Sequence, residues 1–146
     1  MNNIEVILGL SHEGKTTKLI NMFVDAILVE SDKPGAEKKA LVFVTAEQTA
    51  VSIINILVDK IGMNKDTALK LPIYAISQYS EIEPILLEYL KYNNTVLFLD
   101  EPQQLHRATD RLYIPLHTKL EILCTKYPVD DYKSLDIVYT KSIVRK

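Results

Sequence analysis

The chain has 146 residues, 47% of them apolar and 25% charged, the size and composition of one globular domain, 1–146; a disordered or low-complexity chain is excluded, and no stretch is long and apolar enough for a bilayer. A net charge of −2 supplies no overall basic field for nucleic acid, so any DNA contact has to be local or built by oligomerisation. The single cysteine, Cys124, cannot make an internal disulfide and has no second thiol for a zinc site, which points to a soluble chain in a reducing, cytoplasmic setting.

Residues 4–8 form a short apolar run suited to a buried strand, and MNNIEVILGL lacks the basic leader of a secretory signal. GLSHEGKTT, residues 9–17, follows at once. Gly9, Gly14, Lys15 and Thr16 have the spacing G-x-x-x-x-G-K-[ST] of a loop that curls its backbone N–H groups around a polyanion. Glycine permits the path, Lys15 would reach the β/γ-phosphates of ATP, and the Thr16 hydroxyl would ligate Mg²⁺. Ser11, His12, Glu13 and Thr17 complete the cradle, and the following helix adds the partial positive charge of its N-terminus. The alternative is a plain strand-to-helix turn with an exposed lysine. The strand before it and the helical pattern after it favour the phosphate reading.

Residues 16–29 recur with helical spacing through Leu19, Ile20, Phe23, Ala26 and Ile27, and 31–39, with Pro34 and Gly35, read as an exposed connection. A second strand at 40–45 is apolar on both faces, as in a covered parallel sheet. Helical spacing returns over 49–61, and Gly62 stands where a helix C-terminus favours glycine. Residues 71–77 read as a third strand, and Ser80 and Glu83 as a capping box with Pro84 in the first helical turn. After Asn93 and Asn94, residues 96–101 (VLFLDE) form a buried strand ending in two acids. A helix over 103–116, interrupted by Pro115, and strands at 120–125 and 135–143 complete an α/β pattern: a P-loop NTPase fold, its mostly parallel sheet covered by helices on both faces.

Asp100 ends its strand at the sheet edge where α/β proteins bind ligands, and would hold Mg²⁺ opposite Thr16. The alternative is that the two acids cap the next helix. Two glutamates compete as general base. Glu47 follows the second strand, and a carboxylate at the end of a strand beside the loop strand would face the γ-phosphate. Glu101 would do so only if its peptide turns it inward.

ALVFVTAEQTAVSIINIL resembles the second strand and helix of RecA-like ATPases of the RadA and replicative-helicase type, and LPIYAISQYSEIEPILLEYLKYNNTVLFLDEPQQL their next strand, helix and acidic strand. The resemblance spans residues 4–105. It implies ATP hydrolysis with Mg²⁺ in DNA metabolism, with single-stranded DNA or a DNA-processing protein as partner and a homo-oligomer as the working form. It also implies Glu47 as the residue that activates water. LDEP departs from that family and is similar to ABC-type and superfamily 1 ATPases, in which the second acid, here Glu101, is the base. DIVYTKSIVRK is similar to the last strand of RecA-like motors, which implies Lys141, Arg145 and Lys146 as cations offered to a neighbour's γ-phosphate. The plain reading of these three is a basic C-terminus.

His106 and His117 are too isolated for a metal site. Tyr74, Tyr79, Tyr89 and Tyr92 crowd one segment, where base stacking competes with ordinary packing. Two other functions fit parts of the pattern. SHEGKTTKLI and LDEPQQL match a nucleoside kinase similar to thymidine kinase, without that family's zinc-binding cysteines. A weakly hydrolysing nucleotide-binding interaction protein fits a chain with no clear arginine finger.

Overall fold

Parallel strands cannot be joined by tight turns, so each must be followed by a crossover, and the apolar stripes of the crossover helices decide which face they cover. The computed structural model describes residues 3–10, 14–46, 50–105 and 114–143. Within them β1 (Ile4–Gly9), β2 (Ala40–Thr45), β3 (Ile73–Ala75), β4 (Thr95–Asp100) and β5 (Leu135–Ser142) form one sheet in the order β1-β5-β4-β2-β3. Every pairing is parallel.

From β1 to β2 and on to β3 the chain moves one way across the sheet. Helices α1 (Lys15–Ser31), α2 (Ala50–Asp59) and α3 (Lys65–Leu69) pack on one face, over Ile7, Leu41, Phe43, Phe98 and Val138. From β3 to β4 and β5 it moves back. Right-handed connections then require α4 (Ile82–Leu90) and α5 (Leu116–Lys126) on the opposite face, where they bury Val42, Val44, Leu97, Leu99, Ile137 and Tyr139. The reversal makes β2 and β4 a pair whose connections leave toward opposite faces, and ligand crevices of such sheets lie at the carboxyl ends of that pair. Thr45 of β2 is level with Asp100 of β4 there.

Leu19, Ile20 and Phe23 are fully buried on the inner stripe of α1. The Phe23 ring meets Phe43 of β2 and Phe98 of β4 edge-on, each at a centroid distance of 5.3 Å. This triad pins α1 across the middle of the sheet and aims its N-terminus at the end of β4.

The structure corrects several expected elements. Residues 120–125 are helix and not strand, because Leu120, Leu123 and Cys124 are buried while Glu121 and Ile122 are exposed, a period of 3.6 and not 2. Of the helix expected over 103–116, residues 102–105 form a 3₁₀ turn, and α5 starts only after Pro115, whose fixed φ suits a helix entry. The third strand shrinks to Ile73–Ala75, the residues that pair with β2. The capping box lies two residues early, on Gln78 and Glu81. Glu83 instead accepts from Lys126 Nζ at 2.7 Å and from the Tyr127 hydroxyl, which hold its carboxyl below the usual range. Gly62 has φ +82, the left-handed conformation anticipated for it, and Asn64 caps the short α3, which the sequence reading missed. No helix among the described residues is long and apolar enough to cross a membrane.

Candidate functional site

The chain leaves β1 at Gly9 and enters α1 at Lys15, with Gly14 at φ +79 forming the joint. That conformation is why glycine stands there: a Cβ at position 14 would meet nothing within 4 Å, so the demand is on backbone angle and not on space. Gly14, at the N-cap, makes no side-chain cap to the first turn of α1, whose N-terminus carries the partial positive charge of the helix. Lys15 is buried to 6% exposure. Its ammonium donates to the Leu10 carbonyl at 2.7 Å and stands 3.9 Å from Glu101 Oε1.

Next to it, Thr16 donates its hydroxyl to the Asp100 carboxylate, with Oγ1 3.1 Å from Oδ1 and 3.0 Å from Oδ2. These residues are 84 apart in sequence. Asp100 is fully buried and receives a second hydroxyl from Thr140, 3.0 Å from Oδ1. A carboxylate withdrawn from water needs such donors, because charge-assisted hydrogen bonds replace part of the lost hydration. Thr45, also fully buried, is level with Asp100 on the neighbouring strand.

Glu101 follows with φ +51 and is turned inward, only 8% exposed. Gln103 Nε2 donates to Glu101 Oε2 at 2.6 Å. The other end of that amide, Oε1, is the one buried side-chain oxygen or nitrogen among the described residues without a hydrogen-bond partner. An unspent acceptor thus lies beside the inward carboxylate.

The structure therefore brings Gly9, Gly14, Lys15, Thr16, Thr17, Asp100 and Glu101 to one edge of the sheet. Ser11, His12, Glu13 and Glu47 lie outside the described residues, as do His106, Arg145 and Lys146. The strand that leads to Glu47 is not beside the loop strand, however: β5 and β4 stand between β1 and β2. Lys141 is exposed near the end of β5.

Thr140 and Gln103 were missed. The only trace of Thr140 in the sequence is one hydroxyl near the end of an apolar run, and nothing there says that β5 lies between β1 and β4. His117 pairs with Glu121 at 3.2 Å and with the Tyr139 hydroxyl, so its partners are structural. Tyr74 and Tyr89 meet edge to face at 6.4 Å with their hydroxyls bonded, and burial pushes the Tyr79 phenol up to about 12. These three are packing residues; Tyr92 alone of the four is exposed.

Thr16 and Asp100 offer hard oxygen donors, the chemistry Mg²⁺ selects. Two protein oxygens are what a site completed by substrate phosphates and water needs, and no group of three or more His, Cys, Asp or Glu suited to a metal occurs among the described residues. The residues present fit the ion. Comparison with known protein families and with curated proteins gives no match to this chain.

Proposed function

We propose that this chain binds a nucleoside triphosphate with Mg²⁺ and hydrolyses it. The observation that carries the reading is the Thr16–Asp100 contact: a loop with phosphate-binding spacing and a strand ending in an acid, remote in sequence, meet at 3.0–3.1 Å. A helix-capping role for Asp100 does not account for this geometry, since the Thr16 and Thr140 hydroxyls that it accepts come from other elements.

The loop backbone and the N-terminus of α1 bind the phosphates, and Lys15 places its charge on the β/γ-oxygens. When bound by Thr16 and Asp100, Mg²⁺ supplies neutralisation of the charge that develops on the transferring phosphoryl group. Glu101 takes the proton of the attacking water as the water oxygen bonds to the γ-phosphorus and the bond to the bridging oxygen breaks. Its burial and the nearby Gln103 Oε1 support it in this role. Lys15 has to leave Glu101 to meet the phosphates, so substrate entry frees the carboxylate that the reaction uses.

The resemblance to RecA-like ATPases supports a RecA-like P-loop fold for this all-parallel sheet, ATP as the nucleotide, and work on DNA in an oligomer. Titration with a fluorescent ATP analogue and Mg²⁺, and phosphate release with and without single-stranded DNA or a nucleoside, test the proposal. Binding is expected for the native chain and none for Lys15→Ala. Equal affinity in the two would overturn the loop assignment, and phosphorylation of the nucleoside would show a kinase instead.

A further inference from the structure

Thr140 lies at the end of β5, the strand between the loop strand β1 and the acidic strand β4, and it is level with Ile7 of β1. It is fully buried. A threonine hydroxyl has one proton to give and lone pairs to receive, and both capacities are used here on consecutive residues of β4's end. Oγ1 donates to Asp100 Oδ1 at 3.0 Å and accepts the backbone N–H of Glu101 at 2.8 Å. One oxygen thus fixes the carboxylate of the first acid and the main chain of the second.

The second bond matters because of the backbone it holds. Glu101 has φ +51, a conformation that L side chains with a Cβ resist. It also precedes Pro102, and a residue before proline is driven toward extended conformations by the pyrrolidine ring. Two local preferences therefore oppose the turn that points Glu101 inward. It persists because tertiary contacts over-determine it, and the Thr140 hydroxyl is the contact that grips the Glu101 amide directly.

We infer that Thr140 is a positioning residue for hydrolysis, acting through both acids: it orients Asp100 toward Thr16 and keeps Glu101 in the left-handed turn that faces Lys15. The inference rests on the proposed nucleotide hydrolysis. It concerns the orientation of the acids and not nucleotide capture, since the two hydrogen bonds of the Thr140 hydroxyl run to Asp100 and Glu101. Loss of the hydroxyl should let Glu101 relax toward the extended backbone that Pro102 favours and swing its carboxylate out of the site.

The test compares Thr140→Val, which keeps the shape and loses both hydrogen bonds, with Thr140→Ser, which keeps the hydroxyl. Thr140→Ala replaces the valine variant if that one does not fold, as judged by thermal melting. In Thr140→Val, phosphate release is expected to fall about 10- to 100-fold and the Mg²⁺ concentration for half-maximal rate to rise, with fluorescent-ATP affinity within about twofold of native and Thr140→Ser within about threefold in rate. Amide exchange at Glu101 in the metal-free, nucleotide-free protein should speed up in Thr140→Val and stay slow in Thr140→Ser. A native-like rate in the valine variant, or a serine variant as impaired as valine, would overturn the inference while leaving nucleotide hydrolysis standing. Failure of the native chain to bind or hydrolyse ATP would instead bring down the functional reading, and this inference with it, before any variant is compared.

Discussion

Strands β4 and β1 each deliver half of the candidate site, and they are held in different ways. β4 runs through the sheet with β5 on one side and β2 on the other, and Leu97, Phe98, Leu99 and Asp100 are all buried. Among the described residues β1 pairs with β5 alone, and Leu8, one residue before Gly9, is 58% exposed. The acid is thus fixed by the core of the sheet. The start of α1, which carries Lys15 and Thr16, is held against the sheet through Phe23 on Phe43 and Phe98. An acid held by the core of the sheet and set against a helix start beside an edge strand gives the proposed site a constant reference point.

That contrast can be broken by experiment. The largest effect is expected at the end of β4: Glu101→Gln should lower single-turnover hydrolysis by about 10² to 10⁴, the usual contribution of a general base, with ATP affinity equal to or tighter than native because Lys15 loses its ionic partner. Glu47→Gln is the control. A larger loss there would move the base to the end of β2 and restore the assignment implied by the RecA-like resemblance.

Next in size is the core beneath the acid. Leu97→Ala should cost about 2–5 kcal/mol in a urea denaturation series, because a fully buried leucine leaves a cavity that a central strand cannot collapse to fill. Asp100→Asn keeps the shape and halves the oxygen donors. It should reduce phosphate release by about 10- to 100-fold at fixed Mg²⁺ and affect nucleotide affinity less. Equal losses in rate and affinity would argue that Asp100 builds the loop's resting shape and not the metal site. The smallest effect is expected for Leu8→Ala, within about 0.5 kcal/mol of native by the same denaturation, as befits an exposed side chain on an edge strand. A loss comparable with that of Leu97→Ala would mean that β1 is covered in solution, and the contrast drawn here would fail.

The sequence carried the loop because its demands are local. Gly9, Gly14, Lys15 and Thr16 act within one strand-to-helix turn, and their spacing is the geometry. The acidic strand was legible for a related reason: an apolar run that ends abruptly in Asp100 and Glu101 marks a buried strand reaching the sheet edge. The misread segment at 120–125 shows where such reading fails, since six residues hold too few turns to separate a helical stripe from a short strand. Glu83 looked like a capping residue by its offset from Ser80 but is taken by Lys126 and Tyr127, which a distant segment brings to it.

The sequence by itself determined the alternating α/β order, the two apolar faces of the sheet and the residue types of the candidate loop and acid, because these depend on periodicity and on contacts within a few residues. Tertiary structure alone decided the strand order, and with it everything that crosses between strands. It set β5 between β1 and β4, so that Thr140 bonds to both Asp100 and Glu101, and it placed β2 beyond β4, away from the loop strand. It also turned Glu101 inward at φ +51 against its own preference and that imposed by Pro102. No local rule yields that conformation, because the bonds that sustain it come from residues as far as 39 positions along the chain.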